Sequence, residues 1–335
     1  MKYWFFRIAL AIIPRLPRRF AQRTALAVSW VVWALRPGAR RTVRANLEHI
    51  PDLAANPKRL RRAVRQVFGH SLLNYVDFFR LSAVTAEELD ASWTAEGLWQ
   101  IDEALKQGRG CVVICSHLGN FDYALRHFTH LGYTLTITQE HLKPERLHQL
   151  VMQVRNVPGI RFAPVDSSSG LRALIRALRN NEAVLMPADR DIQGHGEEVE
   201  FFGEPTRLPT GGIQLALRTG APLLGVFPHR RGLDHCFGEV VPLPALTDEE
   251  YAAEPDPTRR ALRQVAKLLE QQIARSPEQW AVFSPIWPGN GQPGMPEQAA
   301  PKEHARPTTQ PAPDTTNAQA AARASQPPQD MRLRS

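Results

Sequence analysis

The stretch Cys111-Val112-Val113-Ile114-Cys115-Ser116-His117-Leu118-Gly119-Asn120-Phe121-Asp122 decides the reading of this chain. Its first five residues form a short, β-branched apolar run that breaks at a Gly/Asn turn, as a buried strand does where it passes into a loop. Open α/β sheets bind their ligands beyond the carboxyl ends of their strands, so His117 is expected at the rim of a site. Asp122 follows on the first turn of the next expected helix. There a carboxylate can hold one imidazole nitrogen and leave the other free to take a proton, which is the arrangement of a general base. The same segment also fits a structural histidine beside a helix-starting aspartate. With 11 His and 33 acidic residues in 335, an acid at this spacing occurs about once by chance.

Outward from this stretch the chain alternates. Residues 133–138, 160–164, 182–188 and 221–228 read as strands, and 121–131, 143–156, 168–180, 212–219 and 257–275 as helices. Residues 40–82 carry apolar positions at helical spacing, interrupted by Pro51 and Pro57, and 83–109 reads as a polar connection with a helix around Trp99–Lys106. Strands alternating with helices of this length give an α/β fold, a mainly parallel central sheet flanked by helices. From Gly289 the composition turns to Pro, Gln, Ala and Thr without one aromatic residue. Such a segment cannot bury enough apolar surface to fold. The expected organisation is therefore interfacial, membrane-associating helices over 1–40, a folded domain over 41–288, and a disordered tail over 289–335.

The formal charge of +8 predicts an anionic partner: nucleic acid, anionic lipid or a phosphate-bearing cofactor. The positive charge is concentrated in the first fifty residues, where ten Lys and Arg face the single acid Glu48. These cations alternate with apolar runs such as Tyr3–Phe6 and Trp30–Trp33. The longest uncharged run, Thr24–Leu35, falls short of the roughly 20 residues a spanning helix needs. No secretory cleavage site follows. Basic residues beside Trp and Phe suit helices lying in the headgroup plane of an anionic membrane, although an ordinary amphipathic helix packed on the core has the same pattern. The aromatics sit in apolar runs rather than on an exposed stacking platform, which speaks against nucleic acid. Cys111, Cys115 and Cys236 offer neither a disulfide framework nor zinc spacing and fit a reducing compartment. Cys115 and His117 share a strand face, so a thiol nucleophile is conceivable, but cysteine in an apolar strand is usually a small core residue.

A second constellation, Asp189-Arg190-Asp191, again stands at an expected strand end and can share the rim with His117. After it come Val199-Glu200-Phe201-Phe202-Gly203-Glu204-Pro205 and Pro209-Thr210-Gly211-Gly212, the latter opening a helix that continues through Leu215-Ala216-Leu217-Arg218-Thr219-Gly220-Ala221-Pro222. Together with His117–Asp122, Arg44-Ala45-Asn46-Leu47 and Pro277-Glu278-Gln279-Trp280, these motifs resemble, in order and spacing, the bacterial late acyltransferases of lipid A biosynthesis and the related phosphatidylinositol mannoside acyltransferases. The resemblance runs from about residue 2 to residue 288.

That resemblance implies a glycerolipid-acyltransferase-like fold on the cytoplasmic face of the cell membrane. It implies transfer of a fatty acyl chain from acyl-CoA or acyl carrier protein, with no bound cofactor, to a hydroxyl of a glycolipid or lysolipid. His117 would take the hydroxyl proton and Asp122 would orient its imidazole, with amides of the 118–121 turn or a nearby Arg answering the oxyanion. Glu140 and Arg155 match the mannoside branch, and Asp189, Arg190, Asp191 and Glu198 are further candidates for contact with His117 or the acceptor. The ending Trp280-Ala281-Val282-Phe283-Ser284-Pro285-Ile286-Trp287, in place of a basic run, is also more like the mannoside branch. The competing readings are a non-catalytic basic protein that binds membrane or nucleic acid, and hydrolysis of a thioester or ester at the same site.

Overall fold

The computed structural model describes residues 2–165, 167–244 and 256–287; the expected tail lies outside the described residues. The strand at its centre, β2 (Cys111–Cys115), is buried along its whole length. Period-two geometry splits its side chains between two cores. Val112 and Ile114 join the larger cluster, and Cys111 and Val113 join the cluster on the opposite face. A strand covered on both faces has no polar side, and this is why the sequence shows an unbroken apolar run there.

Among the described residues the sheet has seven strands in the order β1-β9-β8-β2-β5-β3-β4. They are β1 (Trp93–Glu96), β2, β3 (Leu135–Gln139), β4 (Ile160–Pro164), β5 (Ala183–Pro187), β8 (Leu223–Arg231) and β9 (His235–Pro242). Every pairing is parallel except that of β8 with β9. Helices α8 (Phe121–His130), α9 (Glu145–Arg155), α10 (Ser168–Arg179), α11 (Gly211–Thr219) and α12 (Pro257–Arg275) fall where the apolar periodicity put them. Among the described residues the longest helix is α5 (Pro57–Arg80). It starts on an Asn56 cap that accepts the Arg59 N–H at 3.1 Å, with Pro57 at its first position.

Three features depart from the sequence expectation. The polar connection over 83–109 contains a helix, α6 (Ala86–Ser92), and the edge strand β1. The segment after Asp191 forms a separate antiparallel hairpin of β6 (Glu197–Phe201) and β7 (Glu204–Leu208). Their sequences, EEVEF and EPTRL, are rich in residues that strands disfavour, and only alternate positions turn inward. The hairpin holds because Val199, Phe201 and Leu208 reach the main core. The third feature is β9, which returns antiparallel and extends the sheet beyond β8.

The N-terminal helices α1 (Lys2–Ile12), α2 (Arg18–Leu35) and α3 (Pro37–Glu48) lie against α5. Phe6, Ala9 and Leu10 of α1 pack with Phe78 and Phe79 of α5 and with Leu147 and Val151 of α9. The other face of α1 leaves Trp4, Phe5, Ile8 and Ile12 more than half exposed. Among the described residues no helix is long and apolar enough to cross a membrane.

The C-terminal segment 280–287 runs back across the hairpin. Phe201 is fully buried there, stacked on Trp287 with centroids 5.6 Å apart and edge-on to Trp280 at 6.3 Å. Thr206 Oγ1 donates to the Ile286 carbonyl at 2.5 Å. Phe201→Ala is expected to cost about 3–5 kcal/mol of stability, read from urea unfolding; a loss below about 1 kcal/mol would mean that the hairpin is not anchored through this ring.

Candidate active site

His117 stands two residues beyond Cys115 on β2, and Asp189 two residues beyond Pro187 on β5. Cys115 and Pro187 are register partners in adjacent parallel strands, so equal overhangs bring the two side chains face to face. The Asp189 carboxylate is wholly buried and receives three hydrogen bonds. His117 Nδ1 lies 2.8 Å from Oδ1, while the His117 backbone N–H and the Trp280 indole N–H donate to Oδ2 at 2.9 and 2.8 Å. A carboxylate only accepts, so Nδ1 carries the hydrogen and Nε2 is left as the basic nitrogen. Burial pushes the Asp189 carboxyl up. The charge of His117 and the hydrogen bonds from His117 and Trp280 outweigh that effect and hold it below the usual carboxylate range.

This arrangement corrects the expected His117–Asp122 pair. Asp122 turns to Arg155, with Nε to Oδ1 at 2.8 Å and Nη2 to Oδ2 at 3.1 Å. Asp122 is on the first turn of α8 and Arg155 on the last turn of α9, each at the helix end that favours its charge. The Arg155 guanidinium is also boxed by the rings of Phe121, Phe78 and Phe162 at 5.2, 5.7 and 5.9 Å. Asp122 therefore has a bidentate partner already, and Asp189 holds the imidazole in its place.

His117 lines a cavity of about 990 Å³. Its floor is made by Ile114, Ile137 and Met186 of the sheet, and its walls by Leu174 and Ile175 of α10 and Leu215 of α11. The cavity follows α11 from Gly211 to Arg218, about 10 Å at the helical rise per residue. Glu140, Arg155, Arg190 and Asp191 line it as well. Arg190 Nη2 lies 3.6 Å from Glu140 Oε2, and Arg190 Nε is buried without a hydrogen-bond partner among the described residues. Asp191 builds the local loop by accepting the N–H groups of Gly194 and Gly196 at 2.9 and 2.8 Å. Glu198 is exposed on the β6–β7 hairpin and does not line the cavity.

The turn after His117 is itself held. Its Gly119 N–H donates to the Gln279 carbonyl at 3.2 Å, so of the 118–121 amides expected as oxyanion donors this one is already committed. Two residues passed over as functional candidates are part of the site. Trp280, quoted only as part of a motif, fixes Asp189. Tyr75 of α5 lines the cavity and meets Phe6 of α1 with centroids 5.8 Å apart.

The bacterial lipid A biosynthesis acyltransferase model matches residues 1–288. A phosphatidylinositol mannoside acyltransferase of Mycobacterium tuberculosis (strain ATCC 25618 / H37Rv) is 32% identical over 292 residues, covering 85% of this chain and 88% of the relative. A second protein with that name, from Mycolicibacterium smegmatis (strain ATCC 700084 / mc(2)155), is 29% identical over 253 residues, covering 69% and 79%. The chain belongs to the lipid A biosynthesis acyltransferase family. It is an acyltransferase, which sets aside the reading as a non-catalytic basic binder.

The alternative of a thiol nucleophile at Cys115 meets an unfavourable setting. That thiol is buried, and burial first, then the neighbouring Asp189 charge, pushes its pKa far up, so no thiolate forms near neutrality. Asp189, by contrast, links stability to pH. Its folded value lies below the unfolded value of about 3.9, so its contribution is complete above about pH 3.9 and is lost as pH falls through the folded value. Asp189→Asn is expected to lower the urea midpoint near pH 7 and to differ less from the parent near pH 3. An equal difference at both values would show that the buried carboxylate does not supply the acid sensitivity.

Proposed function

We propose that the chain moves a fatty acyl group from an acyl thioester to a hydroxyl of a membrane glycolipid, with His117 as the general base. The observation that carries this reading is the His117–Asp189 pair beside the cavity: an oriented imidazole next to an apolar cleft at the upper end of the roughly 300–1,000 Å³ typical of ligand sites. A cleft with an aliphatic floor and walls suits an acyl chain. The two mycobacterial relatives named for phosphatidylinositol mannosides support a glycolipid acceptor.

The acceptor hydroxyl gives its proton to His117 Nε2 as its oxygen attacks the thioester carbonyl carbon. Negative charge collects on the carbonyl oxygen, and the guanidinium of Arg190, a residue that lines the cavity, is suited to meet it. Collapse of the tetrahedral intermediate breaks the C–S bond. The sulfur leaves with the electron pair and takes the proton back from the imidazolium, giving an ester and a free thiol. The donor is acyl-CoA or acyl carrier protein. Asp122 serves by fixing Arg155, whose guanidinium lines the cavity opposite an anionic group of the acceptor.

The reaction takes place at the cytoplasmic face of an anionic membrane, to which the chain attaches peripherally. The exposed Trp4, Phe5, Ile8 and Ile12 lie on the same helix as Phe6, which touches Tyr75 at the cavity. A lipid acceptor then has a short path from the headgroup layer to His117.

His117→Ala is expected to lower turnover by about 10²–10⁴-fold, measured with a long-chain acyl-CoA and a phosphatidylinositol mannoside fraction; near-parental turnover in the folded variant would remove His117 as the base. Flotation with vesicles tests the attachment. The parent should float with phosphatidylglycerol-containing vesicles, and Trp4→Ser/Phe5→Ser/Ile8→Ser should stay with the soluble fraction. Equal flotation of both would assign binding to another surface.

A further inference from the structure

We propose that a buried polar network outside the cavity, built on Asp77, Arg230 and Asn74, positions the loop that carries His117. Its consequence for turnover rests on the reading of His117 as the base.

Asp77 of α5 and Arg230 of β8 are both nearly inaccessible to solvent, and neither lines the cavity. Arg230 Nη2 lies 2.5 Å from Asp77 Oδ2. The same carboxylate oxygen accepts Asn120 Nδ2 at 2.8 Å, and the same guanidinium nitrogen donates to Asn74 Oδ1 at 3.2 Å. Asn74 in turn donates from Nδ2 to the Gly119 carbonyl at 2.5 Å. Gln279 holds the main chain of Arg230 in both directions, accepting its N–H at 2.7 Å and donating to its carbonyl at 3.0 Å. The Gln279 carbonyl then accepts the Gly119 N–H, and the Ala281 N–H donates to the His117 carbonyl at 3.0 Å. The circuit is closed: both polar groups of the Gly119 backbone and the side chain of Asn120 are tied, through Arg230, to α5, β8 and the C-terminal segment.

The loop has no slack in the remaining direction. Gly119 has φ of +62°, and a Cβ there would lie 1.9 Å from the Pro228 carbonyl oxygen, so the turn rests directly on β8. A buried ion pair seldom adds net stability, because desolvation offsets the Coulomb attraction. This one also leaves Arg230 Nε and Nη1 without hydrogen-bond partners among the described residues. What the pair supplies is geometry. It fixes the two side chains, Asn74 and Asn120, that set where the residues following His117 lie. Asp77, Arg230 and Asn74 are positioning residues, since they act on the reaction only through the His117 loop.

Two variants of the full chain separate positioning from bulk stability. Asn74→Ala removes one uncharged link and leaves the ion pair. Asp77→Leu/Arg230→Met replaces the pair with apolar side chains of similar size; it also removes a partner of Arg18, whose Nε lies 3.7 Å from Asp77 Oδ1, so its melting temperature is read beside its loop exchange. Hydrogen–deuterium exchange of the 116–121 segment reads the loop without any substrate. Turnover with a long-chain acyl-CoA and a phosphatidylinositol mannoside fraction reads the consequence. The expected result in both variants is faster exchange at 116–121 and kcat lower by about 10²-fold with KM changed less than about threefold; in Asn74→Ala the faster exchange is confined to that segment and the melting temperature stays near the parent's. Unchanged exchange and unchanged kcat in either folded variant would overturn the proposal. Faster loop exchange with full turnover would overturn its functional half. If the loop loosens while His117→Ala keeps parental turnover, the assignment of His117 as base fails and the structural role of the network stands.

Discussion

The buried carboxylate of Asp189 is the constraint on which the site depends. An ion taken out of water costs several kcal/mol unless its lone pairs are answered. Here the answers come from two remote parts of the chain: the ring and backbone of His117 at the end of β2, and the indole of Trp280 in the C-terminal segment. Satisfying Asp189 therefore requires that β2 and β5 be neighbours in one register and that residues 280–287 be drawn back across the molecule. The hairpin follows from the same need. Phe201 packs on both Trp280 and Trp287, so the aromatic cluster that closes the main core also sets the indole in place. Core packing and site geometry are the same contacts viewed from two sides.

Much of the fold was legible because its central strands are covered on both faces. Unbroken apolar runs such as 111–115 and 183–187, separated by helical periodicity, leave little choice beyond a parallel α/β sheet. What escaped reading was whatever packs on one face only or sits at an edge. The Glu-rich hairpin β6–β7 looks like charged loop until Phe201 and Leu208 are seen to be buried. In β9, alternating burial hides among polar residues, and its antiparallel return depends on a tight turn after β8 rather than on its own composition.

The site was legible in its parts, and Asp189 was among the candidates for contact with His117, but the role of orienting the imidazole was assigned elsewhere. His117 and Asp189 were both marked by their place at strand ends, yet sequence proximity assigned the imidazole to Asp122. Proximity along the chain was a poor guide because the turn at Gly119 carries α8 away from the rim, and Asp122 meets Arg155 at the end of α9 instead. A signal for the true partner was present: two strands that end in the same register with equal overhangs place position 117 opposite 189. Using it requires the order of strands in the sheet, and that order is set by packing rather than by any local motif. The cavity was invisible for a related reason, since it is a gap between α10, α11 and the sheet and belongs to no single segment.

The setting of Asp189 also bears on where the proton travels in the proposed reaction. The Asp189 carboxylate accepts three hydrogen bonds, two at Oδ2 and one at Oδ1, and its pKa is held below the usual range, which disfavours its taking a proton from the imidazole. In the proposed reaction Asp189 stays an anion and acts by fixing the ring and balancing its positive charge, as the buried acid of a catalytic triad does. On that reading a proton taken up at Nε2 leaves by the same nitrogen, toward the departing sulfur on the cavity side. Direction is built into the pair: Nδ1 is closed by the Asp189 carboxylate, which leaves Nε2 as the nitrogen that the proposed reaction uses beside the cavity.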